Sequence, residues 1–180
     1  MQAITNRQEL FVQQEIDLVD YKNDNWWKKL DKGSSVFVKL SKKHNNTESN
    51  AWGKATTTID TSAENALAWF WDNCSFERLD AVKKLHMNPR EVIKQIAPNH
   101  NVLSTIKEMP WPLNARQFVS ENTWTKHDDD AYVFAWRPPT TDAFNDNRLV
   151  DVCSHSAKLL VQGEVRGFVI LKNVGNQVSE

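Results

Sequence analysis

Residues 109–121 read Met109-Pro-Trp-Pro-Leu-Asn-Ala-Arg-Gln-Phe-Val-Ser-Glu121, and this stretch decides how the rest of the chain is organised. Prolines at 110 and 112 end one extended segment and set the direction of the next, because proline presets φ and has no N–H to give to a ladder. From Arg116 to Thr125 the residues alternate as a half-buried strand requires. The period of two persists on both sides. Strands are expected at about 101–107, 117–125, 131–137, 148–155, 157–162 and 165–171, with polar turns at 126–130 and 138–147.

Upstream the pattern is mixed. An N-terminal helix is expected over about residues 5–30, with Thr5 and Gln8 as a capping box and Val12, Ile16 and Val19 on one stripe. Strands are expected at 35–40 and 53–60, joined by an asparagine-rich loop as a long hairpin. Thr61 and Glu64 form a second capping box at the head of a helix running to about Asn73, which carries Leu67, Trp69, Phe70 and Trp71. A further helix is expected around Pro89–Ile96, with proline near its start. Helix, two strands, two helices and a meander describe an α+β chain built on an antiparallel sheet. Its 180 residues suit a single domain, 1–180, with the sheet and helices over about 35–180.

Composition narrows the partners. Lys and Arg number 22 against 23 Asp and Glu, a net charge of −1, which lacks the concentrated positive field that nucleic acid demands. Two cysteines make no disulfide framework. The first dozen residues contain Arg7 and Glu9 and no apolar run, and no stretch reaches the roughly 20 apolar residues that span a bilayer. The expectation is a soluble, cytoplasmic monomer. Eight tryptophans beside two tyrosines either fill a large core or line an apolar cavity.

The segment Asn101–Val119, with its strand, its Pro-Trp-Pro-Leu turn and its Arg116-Gln-Phe-Val119 strand, resembles the signature of the StAR-related lipid-transfer (START) domains. The late segment Val165-Arg-Gly-Phe-Val-Ile-Leu171 and the helix at 63–73 stand where that family has a strand and its second helix. The resemblance implies a helix-grip fold around a cavity that binds a lipid or sterol-like hydrophobic ligand. Gln117 replaces the family's aspartate, and Leu79-Asp80 stands for its Trp-Asp. A final strand and a gripping C-terminal helix would follow Glu180, so the chain reads as C-terminally incomplete.

Candidate ligand-binding residues follow from both lines. Tyr132, Phe134 and Trp136 share one face of their strand, and Ala131, Val133 and Ala135 share the other, so either face can look onto a cavity or pack against a helix. Arg116 opens the motif's strand and needs a carboxylate, with Glu108 and Glu121 nearest in sequence. Asn122, a further candidate, stands where some sterol-carrying relatives of the resembling family have a second arginine inside the tunnel, which argues against transferring their ligand preference. Trp26 and Trp27 beside Lys28, Lys29 and Lys32 form either a membrane-facing patch or a solvated face over buried rings.

Catalytic motifs are absent from the sequence: there is no nucleophile elbow, paired-histidine zinc motif or Gly-rich phosphate loop. Cys153 and His155 share a strand face but at about 6–7 Å, too far for a nucleophile and its base. The run Asp128–Asp130 lacks the spaced oxygen ligands of a calcium loop. The expectation is a binding protein without cofactor or metal. A helix-grip enzyme, or an interaction module with a filled pocket, are the alternatives.

Overall fold

The computed structural model describes residues 6–18, 28–29, 37–41, 52–84, 90–107, 109–128, 130–140 and 161–174. The chain separates into two compact units, residues 16–61 and the remainder. The expected strand at 148–155 and the pairs Trp26–Trp27 and Cys153–His155 lie outside the described residues.

The smaller unit holds a three-stranded antiparallel sheet of β1 (Lys28–Lys29), β2 (Phe37–Ser41) and β3 (Trp52–Thr56). Phe37 lies opposite Thr56 and Lys28 opposite Leu40. The expected hairpin is present. The N-terminal helix, however, does not reach residue 30, since α1 spans Asn6–Leu18 and the two lysines pair with β2. Ladder hydrogen bonds from a partner strand outweigh a weak local helix preference.

The larger unit contains α1 up to Glu15, then α2 (Ala63–Trp71) and α3 (Phe76–Lys84). Its sheet is formed by β4 (Arg90–Ala97), β5 (His100–Lys107), β6 (Arg116–Asp128), β7 (Ala131–Arg137), β8 (Val161–Gly163) and β9 (Gly167–Lys172). Strand order is β4-β5-β6-β7-β9, antiparallel throughout, while the short β8 runs parallel beside the start of β6. The Trp111–Pro112 bond in the turn before β6 is cis. Among the described residues no helix is long and apolar enough to cross a membrane.

Two sequence expectations are overturned in this unit. Residues 90–97 form β4 and not a helix, and the helix lies earlier, at 76–84. Val92, Ile93 and Ile96 are β-branched and stiff at χ1, and a ready partner in β5 draws them into the sheet. The cap of α2 is Ser62, whose hydroxyl accepts from Asn65 N at 3.2 Å, and not Thr61. A second orphan donor, Ala63 N, is met at 2.8 Å by Asn173 Oδ1 from just beyond β9.

Register assigns the side chains to two faces. Opposed residues Asn122 and Trp136, Trp124 and Phe134, Tyr132 and Leu171, and Phe134 and Val169 share one face. On it Ala63, Ala66 and Leu67 of α2 pack with Phe134 and Leu171, joined by half-buried Phe70, Trp71, Trp124, Tyr132, Trp136 and Val169. Phe134 stacks on Phe70 at 6.1 Å and meets Trp71 edge-on at 6.3 Å. The other face carries Val133 and Ala135, both fully buried, beside Glu121, Thr123 and Thr125 of β6. Gln8, Phe11, Val12 and Glu15 of α1 are all buried, so its covered side is half polar; of the expected stripe, Val12 is buried and Ile16 half-buried, and Val19, like the expected cap Thr5, lies outside the described residues.

Candidate ligand-binding recess

Beside the α2 face, the sheet forms a small, partly open recess of about 10 Å³ lined by Trp71, Asn73, Val92, Asn101, Leu103, Asn122 and Phe134. Four of these are apolar and three are amides. They come from the end of α2 and from four strands. Trp71 closes α2 and Asn73 follows it, Val92 comes from β4, and Asn101 and Leu103 from alternate positions of β5. Asn122 and Phe134 come from β6 and β7.

The amides are tied to one another. Asn122 Nδ2 donates to Asn101 Oδ1 at 3.0 Å and to the Ser120 carbonyl at 3.2 Å, and Asn122 Oδ1 accepts from Ser120 Oγ at 3.0 Å. Asn101, Ser120 and Asn122 are all buried. Asn73 Nδ2 donates to the Phe70 carbonyl at 2.6 Å, and Asn73 Oδ1 accepts from the Arg90 guanidinium at 3.3 Å. Nearby Cys74 is half-buried, and burial pushes its thiol above the ordinary value of 9.0 despite the Arg90 charge.

Of the residues expected from the sequence, the structure brings Asn122 and Phe134 into the recess. Tyr132 and Trp136 flank Phe134 on the same face without lining the recess. Tyr132 meets Trp124 edge-on at 6.3 Å and its hydroxyl donates to Glu64 Oε1 at 3.3 Å. Trp136 lies 5.7 Å from Phe134 and over Gly167, where a Cβ would come within 2.9 Å of its ring. Arg116 is exposed at the start of β6, opposite Lys107. It does not reach Glu121, which His100 and Arg137 occupy, and Glu108 lies outside the described residues. Sequence reading missed Trp71, Asn73, Val92, Asn101 and Leu103 as site residues. Alternation in β5 places Asn101 and Leu103 on one face, but only the register shows that this face continues Asn122.

Gln117, which stands where the resembling motif has aspartate, is buried on the opposite face. It donates to Ser104 Oγ at 3.0 Å and accepts from Gln162 at 2.8 Å, knitting β5, β6 and β8 together. An amide does both, whereas a carboxylate only accepts. The same face holds a charge cluster under α1. Glu121 lies 2.7 Å from His100 Nε2 and 3.4 Å from Arg137 Nε. Burial pushes the Glu121 carboxyl up, but the His100 hydrogen bond and the Arg137 charge outweigh it and hold the group below its ordinary 4.5. Glu15 goes the other way: burial lifts it above 4.5 against the pull of Arg166 and Arg137. Phe11 packs on His100, and the Arg137 guanidinium sits 3.8 Å over the Phe11 ring. Gln8 and Asn99 exchange amide hydrogen bonds at 3.0 and 3.2 Å.

No family model matches the chain, and no curated protein matches it in sequence. Solved structures do match in shape. A STAR-related lipid transfer protein from Xanthomonas axonopodis aligns with a TM-score of 0.60 at 13% identity, over 83% of this chain and 75% of that one. Human StAR-related lipid transfer protein 5 aligns at 0.60 and 13% identity, over 93% and 81%. The lipid transfer and protein localization domain of human StarD13 (DLC2) aligns at 0.59 and 10% identity, over 96% and 78%. Identities this low speak to architecture alone, and that architecture is shared: the chain has the START-like helix-grip fold, an α+β arrangement of helices on an antiparallel sheet.

Proposed function

We propose that this chain is a single lipid-binding module that shelters the end of a hydrophobic ligand against the α2 face of its larger sheet. One observation carries the reading: a recess walled by Trp71, Val92, Leu103 and Phe134 has buried amides at Asn101 and Asn122. Apolar walls with a few placed polar groups are the ordinary make-up of a small-molecule site. The solved structures that share its fold are named for lipid transfer, which supports the same reading. Binding would be driven by desolvation, at about 25 cal/mol per Å² of apolar ligand surface removed from water.

Transfer between membranes is the finer form of the proposal. Trp111 is 93% exposed and Leu113 52%, on a turn just ahead of Arg116 and near Lys107. Large apolar side chains with basic residues beside them suit an encounter with an anionic lipid surface. In this reading the protein is a cytoplasmic monomer acting as a carrier, not an enzyme. The recess has an internal volume of only about 10 Å³, room for roughly one water, and this favours a second reading, an interaction module whose pocket is filled, because small-molecule sites run from about 300 Å³ upward.

Native mass spectrometry of the protein after incubation with a mixed lipid extract separates the two. A discrete adduct of one lipid is the expected result. A folded protein that stays free of lipid at every loading sinks the carrier reading and leaves the filled pocket.

A further inference from the structure

We infer that the recess receives a neutral oxygen, the hydroxyl or carbonyl at the polar end of an otherwise apolar ligand, on the side-chain N–H groups of Asn101; this rests on the lipid-binding reading above. The hydrogen-bond network determines which way the amides point. Asn122 Nδ2 must face the Ser120 carbonyl, an acceptor only, and Ser120 Oγ donates to Asn122 Oδ1. With Asn122 so oriented, its Nδ2 also donates to Asn101, which turns Asn101 Oδ1 toward β6. Asn101 Nδ2 is left over. Among the described residues it donates to no acceptor, although Asn101 is only 6% exposed and lines the recess. Buried amide donors in folded proteins nearly always have a partner, so this one marks where an acceptor belongs.

The chemistry of the lining says which acceptor. Trp71, Val92, Leu103 and Phe134 supply hydrocarbon, while Asn73, Asn101 and Asn122 supply amides, and no cation or carboxylate is among the lining residues. Arg90, the basic residue next to the site, spends a guanidinium N–H on Asn73 Oδ1 at 3.3 Å. A phosphate or carboxylate at Asn101 would meet no cation among the lining residues, with Arg90 engaged at Asn73, whereas an alcohol, ketone or ester needs only a donor. The proposal is therefore selectivity for neutral oxygen over anionic oxygen and over none.

The test uses matched ligands on two skeletons: cholesterol, cholestane and cholesteryl sulfate, and hexadecan-2-one, hexadecane and palmitate. Native mass spectrometry and competition against a fluorescent lipid report relative affinity. We expect the neutral oxygen compound of at least one skeleton to bind roughly tenfold tighter than its hydrocarbon and its anion, the worth of a sheltered hydrogen bond. Asn101→Leu is expected to bring that preference to within about twofold while hydrocarbon binding persists. Asn101→Asp keeps the oxygen that Asn122 donates to and removes the donor, so it reads the same loss if the leucine variant misfolds. A tighter anion, or a preference unchanged in both variants, overturns the inference and leaves the carrier reading standing. Failure of all six compounds and of the mixed extract overturns both.

Discussion

The two faces of the larger sheet use the same strands in opposite ways. Toward α2 the strands present Trp124, Tyr132, Phe134 and Trp136, and the contacts are ring against ring and ring against aliphatic side chain. Toward α1 they present Val133, Ala135 and Thr123, with His100, Glu121 and Arg137 in a buried cluster and Gln8 bridged to Asn99. Apolar contacts are tolerant of direction, so the first face can part at its margin and leave a recess without losing much. A buried ion cluster has no such latitude, because each group left alone pays its full desolvation. The difference teaches a division of labour: in the proposed reading the aromatic face is where a ligand is admitted, and the polar face packs against α1.

That contrast can be broken from either side. Phe134→Ala removes the ring shared by Phe70, Trp71 and Trp136 and is expected to cost about 4 kcal/mol, read as a fall in the midpoint of urea unfolding. Glu121→Leu leaves His100 and Arg137 facing apolar surface and is expected to cost about 3 kcal/mol by the same measurement. Should the leucine prove stabilising, the cluster is dispensable and the division of labour is wrong.

Acid sharpens the comparison because the polar face contains two carboxyls of opposite sense. Glu121 titrates below 4.5 in the folded state, so unfolding takes up a proton there as the pH falls past 4.5, and its stabilisation is lost. Glu15 titrates above 4.5, so folding holds the extra proton and stability declines as pH rises from 4.5 through its folded value. Thermal melts from pH 3 to 7 are expected to show a shallower acid limb in Glu121→Gln and a higher neutral midpoint in Glu15→Gln. Equal curves for all three proteins would remove the electrostatic part of the contrast.

Ser62→Ala gives the smallest effect, about 1 kcal/mol, because it removes one capping acceptor while Asn173 still meets Ala63 N. Differential scanning calorimetry resolves it. A loss as large as that of Phe134→Ala would mean that the cap, and not the aromatic packing, holds α2 on the sheet.

Much of this was open to reading in one dimension. The alternation of residues 101–107 and 131–137 marks them as strands, and the pleat places Tyr132, Phe134 and Trp136 on one face. Phe134 follows from the pleat, whereas Asn122 follows only from the resemblance of its motif. Asn101 follows from neither, because an asparagine at the start of a strand looks like a turn residue until a neighbouring strand brings a second asparagine opposite it. The 90–97 segment differs from its expected helix for a related reason. A short apolar run flanked by proline fits a helix start as well as a strand, and only an available partner decides.

By itself, the sequence determined the α+β class, the turn at Pro110–Pro112, and the alternation that sorts β6 and β7 into two faces, since these depend on φ restriction and on the pleat within a few residues. Tertiary structure alone decided that β4 is a strand, that β8 joins β6 in parallel, and that Asn73, Asn101 and Asn122 meet around one recess. Those outcomes depend on hydrogen bonds between segments far apart in the chain. Their worth is set by burial and register, which no local window contains.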